Sequence, residues 1–232
     1  MASFIETFPR GKAVLPVIHV ESSRQVVENV EIAQDEGADG VFLIDMHGKN
    51  PRKLKEFQQL ARDAAPTWFI GVNYLNVPTV RVFNYLGHGV SGLWSDNAFI
   101  DETVEEQVQA EEIARARKRS GWQGLYFGGV AFKYQPGVSS LERASKIATK
   151  FMDVVTTSGD KTGSPPDIEK IAVMRASIGR HPLGIASGIS PENVHRFLPF
   201  ASAFLVATSL LIPGTQNFDK FRVRDLVKAA KG

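Results

Sequence analysis

Asp153-Val-Val-Thr-Thr-Ser-Gly-Asp-Lys-Thr-Gly-Ser-Pro-Pro-Asp-Ile-Glu169 joins a short apolar run to a loop of hydroxyls, glycines and one lysine, then to a proline pair and an acidic residue. The run lacks polar alternation, as a strand covered on both faces does. Pro165-Pro166-Asp167 opens a helix. The segment therefore reads as strand, polar loop, helix, the repeating unit of an α/β fold.

The same unit recurs outward in both directions. Apolar runs lie at Val14 to Val20, Gly40 to Ile44, Trp68 to Val72, Ser91 to Trp94, Gly124 to Phe132, Asp153 to Thr157, Pro182 to Ala186 and Phe204 to Ala207, eight in all. Amphipathic helical patterns separate or follow them: Ser22 to Glu36, Pro51 to Ala65, Glu102 to Arg119, Ser139 to Lys150, Asp167 to Ile178, Pro191 to Leu198 and Asp219 to Ala230. Ser22 caps one, Ser190-Pro191-Glu192 starts another, and Gly37 and Gly121 stop two. Asn76 to Leu86 is the weakest helix, because Pro78 and β-branched residues oppose it. Eight strand-helix units predict a single (β/α)8 barrel over residues 1–232. An open doubly wound sheet is the competing architecture, but it needs fewer strands or a second small domain, and no Pro/Gly/Ser-rich linker divides the chain.

With 43% hydrophobic and 22% charged residues, the 232-residue chain can bury a large core. It has no cysteine, which excludes disulfides, thiolate metal sites and a cysteine nucleophile. The start, Met1-Ala-Ser-Phe-Ile-Glu, lacks a signal-peptide pattern, so a cytoplasmic location is expected. Phe200 to Pro213, the longest apolar run, is broken by Ser202, Thr208 and Ser209 and falls short of the roughly 20 residues that cross a bilayer. A net charge of +2 from 27 basic and 25 acidic residues, scattered along the chain, argues against nucleic acid as a partner.

Barrels of this kind place their chemistry on the loops that follow the strands. Those ends carry His19 and Glu21, Asp45 with His47, Asn73, Asp96 with Asn97, Lys133, Ser158 to Thr162, Ser187-Gly188 and Thr208-Ser209. Ser158, Gly159, Asp160, Lys161, Thr162 and Gly163 combine permissive backbone, hydroxyls and a charge suited to an anion, although an ordinary turn has the same composition. Their spacing matches neither a Walker loop nor a dinucleotide fingerprint. Ser187, Gly188, Thr208 and Ser209 sit on the seventh and eighth loops, where barrel phosphate sites commonly form; packing and capping are the alternative roles. Lys133 closes a strand of otherwise apolar and glycine residues, so it is expected to point into an enclosed site as proton donor, Schiff-base former or simple phosphate anchor. Asp45 and Asp96 can act as acid and base across the mouth, or as an ion pair and a loop cap. His19 is a proton shuttle or a core histidine. His47, His88, His181 and His195 have no metal-ligand spacing; His19, Glu21, Asp45 and Asp96 converge on a divalent cation only if the fold gathers them. No cofactor is indicated by any motif.

On these residues the chain resembles the BtpA family, barrels similar to the ribulose-phosphate-binding barrels. The resemblance runs from about Val14 to Leu211. It is carried by 153–169, by Gly184-Ile-Ala-Ser-Gly-Ile-Ser-Pro-Glu-Asn-Val194 and by Ala203-Phe-Leu-Val-Ala-Thr-Ser-Leu210, with Gly71-Val-Asn-Tyr-Leu-Asn76 and the strand ending at Lys133. Two departures stand out: Val20-Glu21-Ser22-Ser23 replaces a leucine-proline-glycine turn after His19, and Tyr134 replaces a histidine after Lys133. The resemblance implies a site like that of an enzyme acting on a phosphorylated small molecule, by isomerase, lyase or glycosyl-transfer chemistry on a sugar phosphate or nucleotide-like compound. By name, the family is also tied to photosystem I assembly or stability, which implies instead a non-catalytic factor with a vestigial pocket. A metal-dependent hydrolase is the third class. Self-association into a homo-oligomer is common among such barrels.

Overall fold

A computed structural model describes residues 3–48, 50–87 and 89–232, which leaves His88 outside the described residues. Eight parallel strands close on themselves in sequence order: β1 (Ala13–His19), β2 (Gly40–Ile44), β3 (Phe69–Asn73), β4 (Gly92–Ser95), β5 (Leu125–Gly129), β6 (Val154–Thr157), β7 (Leu183–Ile185) and β8 (Ala203–Val206). Closure is made by β1 on β8, from Ala13 opposite Ala203 to Pro16 opposite Val206. This is the (β/α)8 barrel expected from the repeating unit.

Helices α2 (Ser23–Asp35), α3 (Pro51–Ala64), α4 (Thr79–Val82), α5 (Val108–Ser120), α6 (Leu141–Ala148), α7 (Ile168–Ile178) and α8 (Lys220–Lys231) follow strands one to six and eight. Their starts are fixed locally: Ser22 accepts from the Gln25 amide, Asp167 from Glu169, and Asp219 from Phe221 and Arg222. The outward strand faces and the helices share one apolar layer, while the inward faces form a second core inside the barrel. In that inner core, Phe42 lies 5.1 Å from Phe127 and 5.8 Å from Phe69, ring to ring, both edge-on. Gly71 makes room for it, since a Cβ there would strike the Phe42 ring. An additional short helix, α1 (Phe4–Thr7), closes the amino end of the barrel, with Phe8 placed 5.1 Å from Phe69.

Three expectations are corrected. β5 ends at Gly129, not Phe132, because Ala131 adopts a positive φ of 47° and turns the chain, so Lys133 stands on a loop. α5 begins at Val108 rather than Glu102; Glu102 is buried and its carboxylate accepts from the amide and hydroxyl of Ser139, pinning two loops together. Pro191 to Leu198 forms turns around a single 3-10 turn at Val194–Arg196. There, Asn193 accepts from the Ser190 amide at 2.9 Å and donates to the Gly188 carbonyl at 2.8 Å, which competes with helix bonding. The region 76–86 contains only the one-turn α4, consistent with its weak pattern.

Candidate active site at the barrel mouth

The carboxyl ends of the strands surround a cavity of about 450 Å³. The loops after β6, β7 and β8 line one side with Thr162, Gly163, Ser187, Gly188, Thr208 and Ser209. Gly188 explains how the first two loops meet: its φ is +64°, and a Cβ would collide with the backbone of Ser164 and Pro165. The backbones therefore touch, which any larger residue forbids. The Ser187 hydroxyl donates to the Lys161 carbonyl (3.1 Å) and the Ser209 hydroxyl to the Ile189 carbonyl (2.7 Å), so both are engaged in loop structure. The amides of Gly163 and Gly188, by contrast, donate to no acceptor among the described residues. With the Thr208 hydroxyl and the Lys133 ammonium, they are among the donors available to an anion.

The expected loop divides. Thr162 and Gly163 reach the mouth, whereas Ser158 and Gly159 do not. Ser158 is fully buried: its hydroxyl donates to the Gly159 carbonyl and accepts from the Lys133 amide, both at 2.8 Å. Gly159 packs against the Ser164 and Pro165 carbonyls. These two shape the loop and do not face a ligand. Asp160 is exposed outside the cavity. Lys170 of α7 clamps the loops from behind, donating to the carbonyls of Ala131 (2.6 Å) and Ser158 (2.8 Å).

Three of the four expected acid/base groups come together. His19, Asp96 and Lys133 all line the cavity. Asp96 is largely enclosed, and burial pushes its carboxyl up from the ordinary aspartate value, against the Asn73 hydrogen bond (2.9 Å) and the Lys133 charge. Asn73, itself buried, thus acts behind Asp96. His19 is pushed down, first by burial, and Lys133 adds to this while the hydrogen bond from its Nδ1 to Gln216 Oε1 (3.0 Å) opposes it. With Nδ1–H donating to that amide oxygen, Nε2 carries the lone pair. Lys133 lies over the Phe132 ring at 5.7 Å.

Asp45 is the correction: its carboxylate accepts from the His47 amide (3.0 Å) and faces a separate small pocket, not the mouth. This is a local turn in which an aspartate binds its own backbone two residues on. Nor do His19, Glu21, Asp45 and Asp96 converge, since no group of three or more His, Asp or Glu among the described residues can hold a metal ion.

Residues not expected also appear. Gln216, on the loop before α8, is held by its carbonyl from Gln25 (2.9 Å) and Asn29 (2.8 Å) of α2. Gln25 and Asn29 are polar residues four apart on a helix face that otherwise buries Val26, Val30 and Ala33, which is the signal in the sequence. Tyr134 lines the mouth with 77% of its surface exposed; its oxygen accepts from the Thr162 amide (3.2 Å). Gln135 donates to the Asp96 carbonyl.

A model of the BtpA family matches residues 94–232, more than half of the chain. The chain belongs to the BtpA family. Within the matched part lie Asp96, Lys133 and all the loop residues that line the anion side. This BtpA-family barrel is 30% identical to an uncharacterised protein of Thermococcus kodakarensis over 58% of the chain and 52% of that protein. It is also 30% identical to an uncharacterised protein of Pyrococcus abyssi, over 48% of the chain and 43% of that protein. The chain spans about half the length of the curated relatives it matches. Among solved structures, (S)-3-O-geranylgeranylglyceryl phosphate synthase from Thermoplasma acidophilum, in complex with sn-glycerol-1-phosphate, superimposes with a TM-score of 0.74 at 12% identity over 100% of this chain and 99% of that one. The tryptophan synthase α subunit of Legionella pneumophila gives 0.67 at 13% identity, over 96% and 94%. Phosphoribosyl anthranilate isomerase from Thermus thermophilus gives 0.63 at 12%, over 94% and 97%. At these identities the likeness is one of fold. No helix among the described residues is long and apolar enough to cross a membrane.

Proposed function

We propose that this barrel is an enzyme acting on a phosphorylated small molecule, by isomerase, lyase or glycosyl-transfer chemistry. One observation carries the reading: the loops after β6, β7 and β8 meet around the free amides of Gly163 and Gly188, next to Lys133, Asp96 and His19. Phosphate held there by the two amides, the Thr208 hydroxyl and Lys133 leaves the rest of the ligand over the barrel axis. Asp96, with its raised carboxyl, is suited to give or take a proton nearer neutrality than an exposed aspartate. His19 is suited to the role of base, being neutral and oriented by Gln216. Lys133 supplies charge to the phosphate or to a developing oxyanion. The fold neighbours whose names include phosphate or phosphoribosyl compounds support the same substrate class.

The test is thermal melting against inorganic phosphate and a panel of sugar phosphates and nucleotides. Binding to the folded chain should raise the midpoint, by an amount that Thr208→Val removes. Absence of any anion-dependent shift would overturn the phosphate site and favour a role in assembly.

A further inference from the structure

Resting on the phosphate reading above, we infer that the substrate is a phosphate ester whose body is apolar, an aromatic or prenyl-like group, and not a polyhydroxylated sugar. The mouth is asymmetric. Apart from Tyr134 after β5, whose hydroxyl is engaged with Thr162, the hydroxyl-bearing and glycine residues of the mouth lie after β6, β7 and β8, whereas the opposite half is formed by Val17, Ile44, Met46, Leu75 and Trp94.

The polar residues that β2 and β3 offer at the same level are directed elsewhere. The Asp45 carboxylate binds the His47 amide, and the Asn73 amide binds Asp96. A ligand anchored by phosphate at Gly188 and reaching across the axis therefore meets His19, Asp96 and Lys133 at the centre, then carbon, apart from the Trp94 indole N–H, which is buried and has no partner among the described residues. A sugar body placed there would lose water from several hydroxyls with nothing to receive them, which costs affinity. An apolar body loses nothing and covers Met46, which is 45% exposed on this rim. A cavity of about 450 Å³ is large enough for a phosphate with a ring or a short branched chain.

Calorimetric titration of the full chain with inorganic phosphate, ribose 5-phosphate and phenyl phosphate tests the inference. Phenyl phosphate should bind about tenfold or more tightly than either other probe, from the apolar area it covers. Leu75→Ser combined with Met46→Ser should reduce that preference to about threefold or less, with inorganic phosphate binding unchanged. Met46 is exposed and Leu75 half-buried at the edge of the inner core, and an unchanged phosphate affinity confirms that the chain is folded. Ribose 5-phosphate binding as tightly as phenyl phosphate, with both abolished by Thr208→Val, would overturn the inference and leave the phosphate reading standing. A phenyl preference that survives the double substitution would also overturn it, because the apolar half would not be its source. If none of the three binds, both readings fail together.

Discussion

Gly188 carries more of the site than its size suggests. Its positive φ and the touching backbones of Ser164 and Pro165 exclude any side chain. Gly188→Ala is expected to cost ~2–4 kcal/mol, from left-handed strain plus overpacking against rigid backbone, measured by denaturant unfolding. It should also remove the anion-dependent rise in melting temperature. The glycine was legible as a loop residue in the sequence, but the partner that makes it necessary lies more than twenty positions away and was not. The same holds for Ser158, whose hydroxyl looked available and is consumed by its own loop. Asp45 differs, because its partner His47 is two residues on; an aspartate ahead of a tight turn is a common local cap, and that reading stood open.

Among the elements, α2 links the framework to the chemistry. Asn29 donates to the Gln216 carbonyl and accepts from the Phe218 amide (2.8 Å), while Gln216 orients His19. Asn29→Ala leaves the buried Phe218 amide without an acceptor and should destabilise the chain by about 2 kcal/mol. If His19 is the base, the same change should lower turnover more than it weakens phosphate binding, a split that a purely structural asparagine would not produce. Strands were the most legible elements, since continuous apolar runs bounded by glycine or polar residues leave few alternatives. Helix starts were less so. The periodicity from Glu102 onward continues into a real helix, but the carboxylate of Glu102 is used to bind Ser139, and Asn193 similarly breaks a pattern that begins well at Pro191. Side chains that bond to backbone override periodicity without leaving a mark in it.

At the scale of the molecule, stability should depend on pH through groups at both ends of the barrel. His19 at the mouth and His181 before β7 are both pushed below the ordinary 6.5 by burial. A base with a lowered folded value stabilises the fold above its unfolded value and loses that contribution as pH falls through the folded one. Stability should therefore decline below about pH 6.5, and His19→Gln with His181→Gln should flatten the decline in denaturation curves taken at successive pH. Asp96 acts in the opposite sense: its raised carboxyl gives stability that is full below 3.8 and lost as pH rises through the folded value. Asp96→Asn should accordingly be more stable than the parent chain at pH 7.

The closure of β1 on β8 also fixes when the site comes into being. His19 emerges during synthesis well before Gln216, which orients it and lies 197 positions further on. Until Ala203 to Val206 has been made, β1 and β7 each present an unpaired edge, the kind of surface that draws strands from other chains. A ribosome that stalls before that point releases a polypeptide with neither a closed sheet nor an oriented histidine. Ligand binding is thus gained only once the stretch from Ala203 to Gln216 has been made, and products that stop before it should be recognised by quality control as aggregating chains rather than persist as weakly active ones.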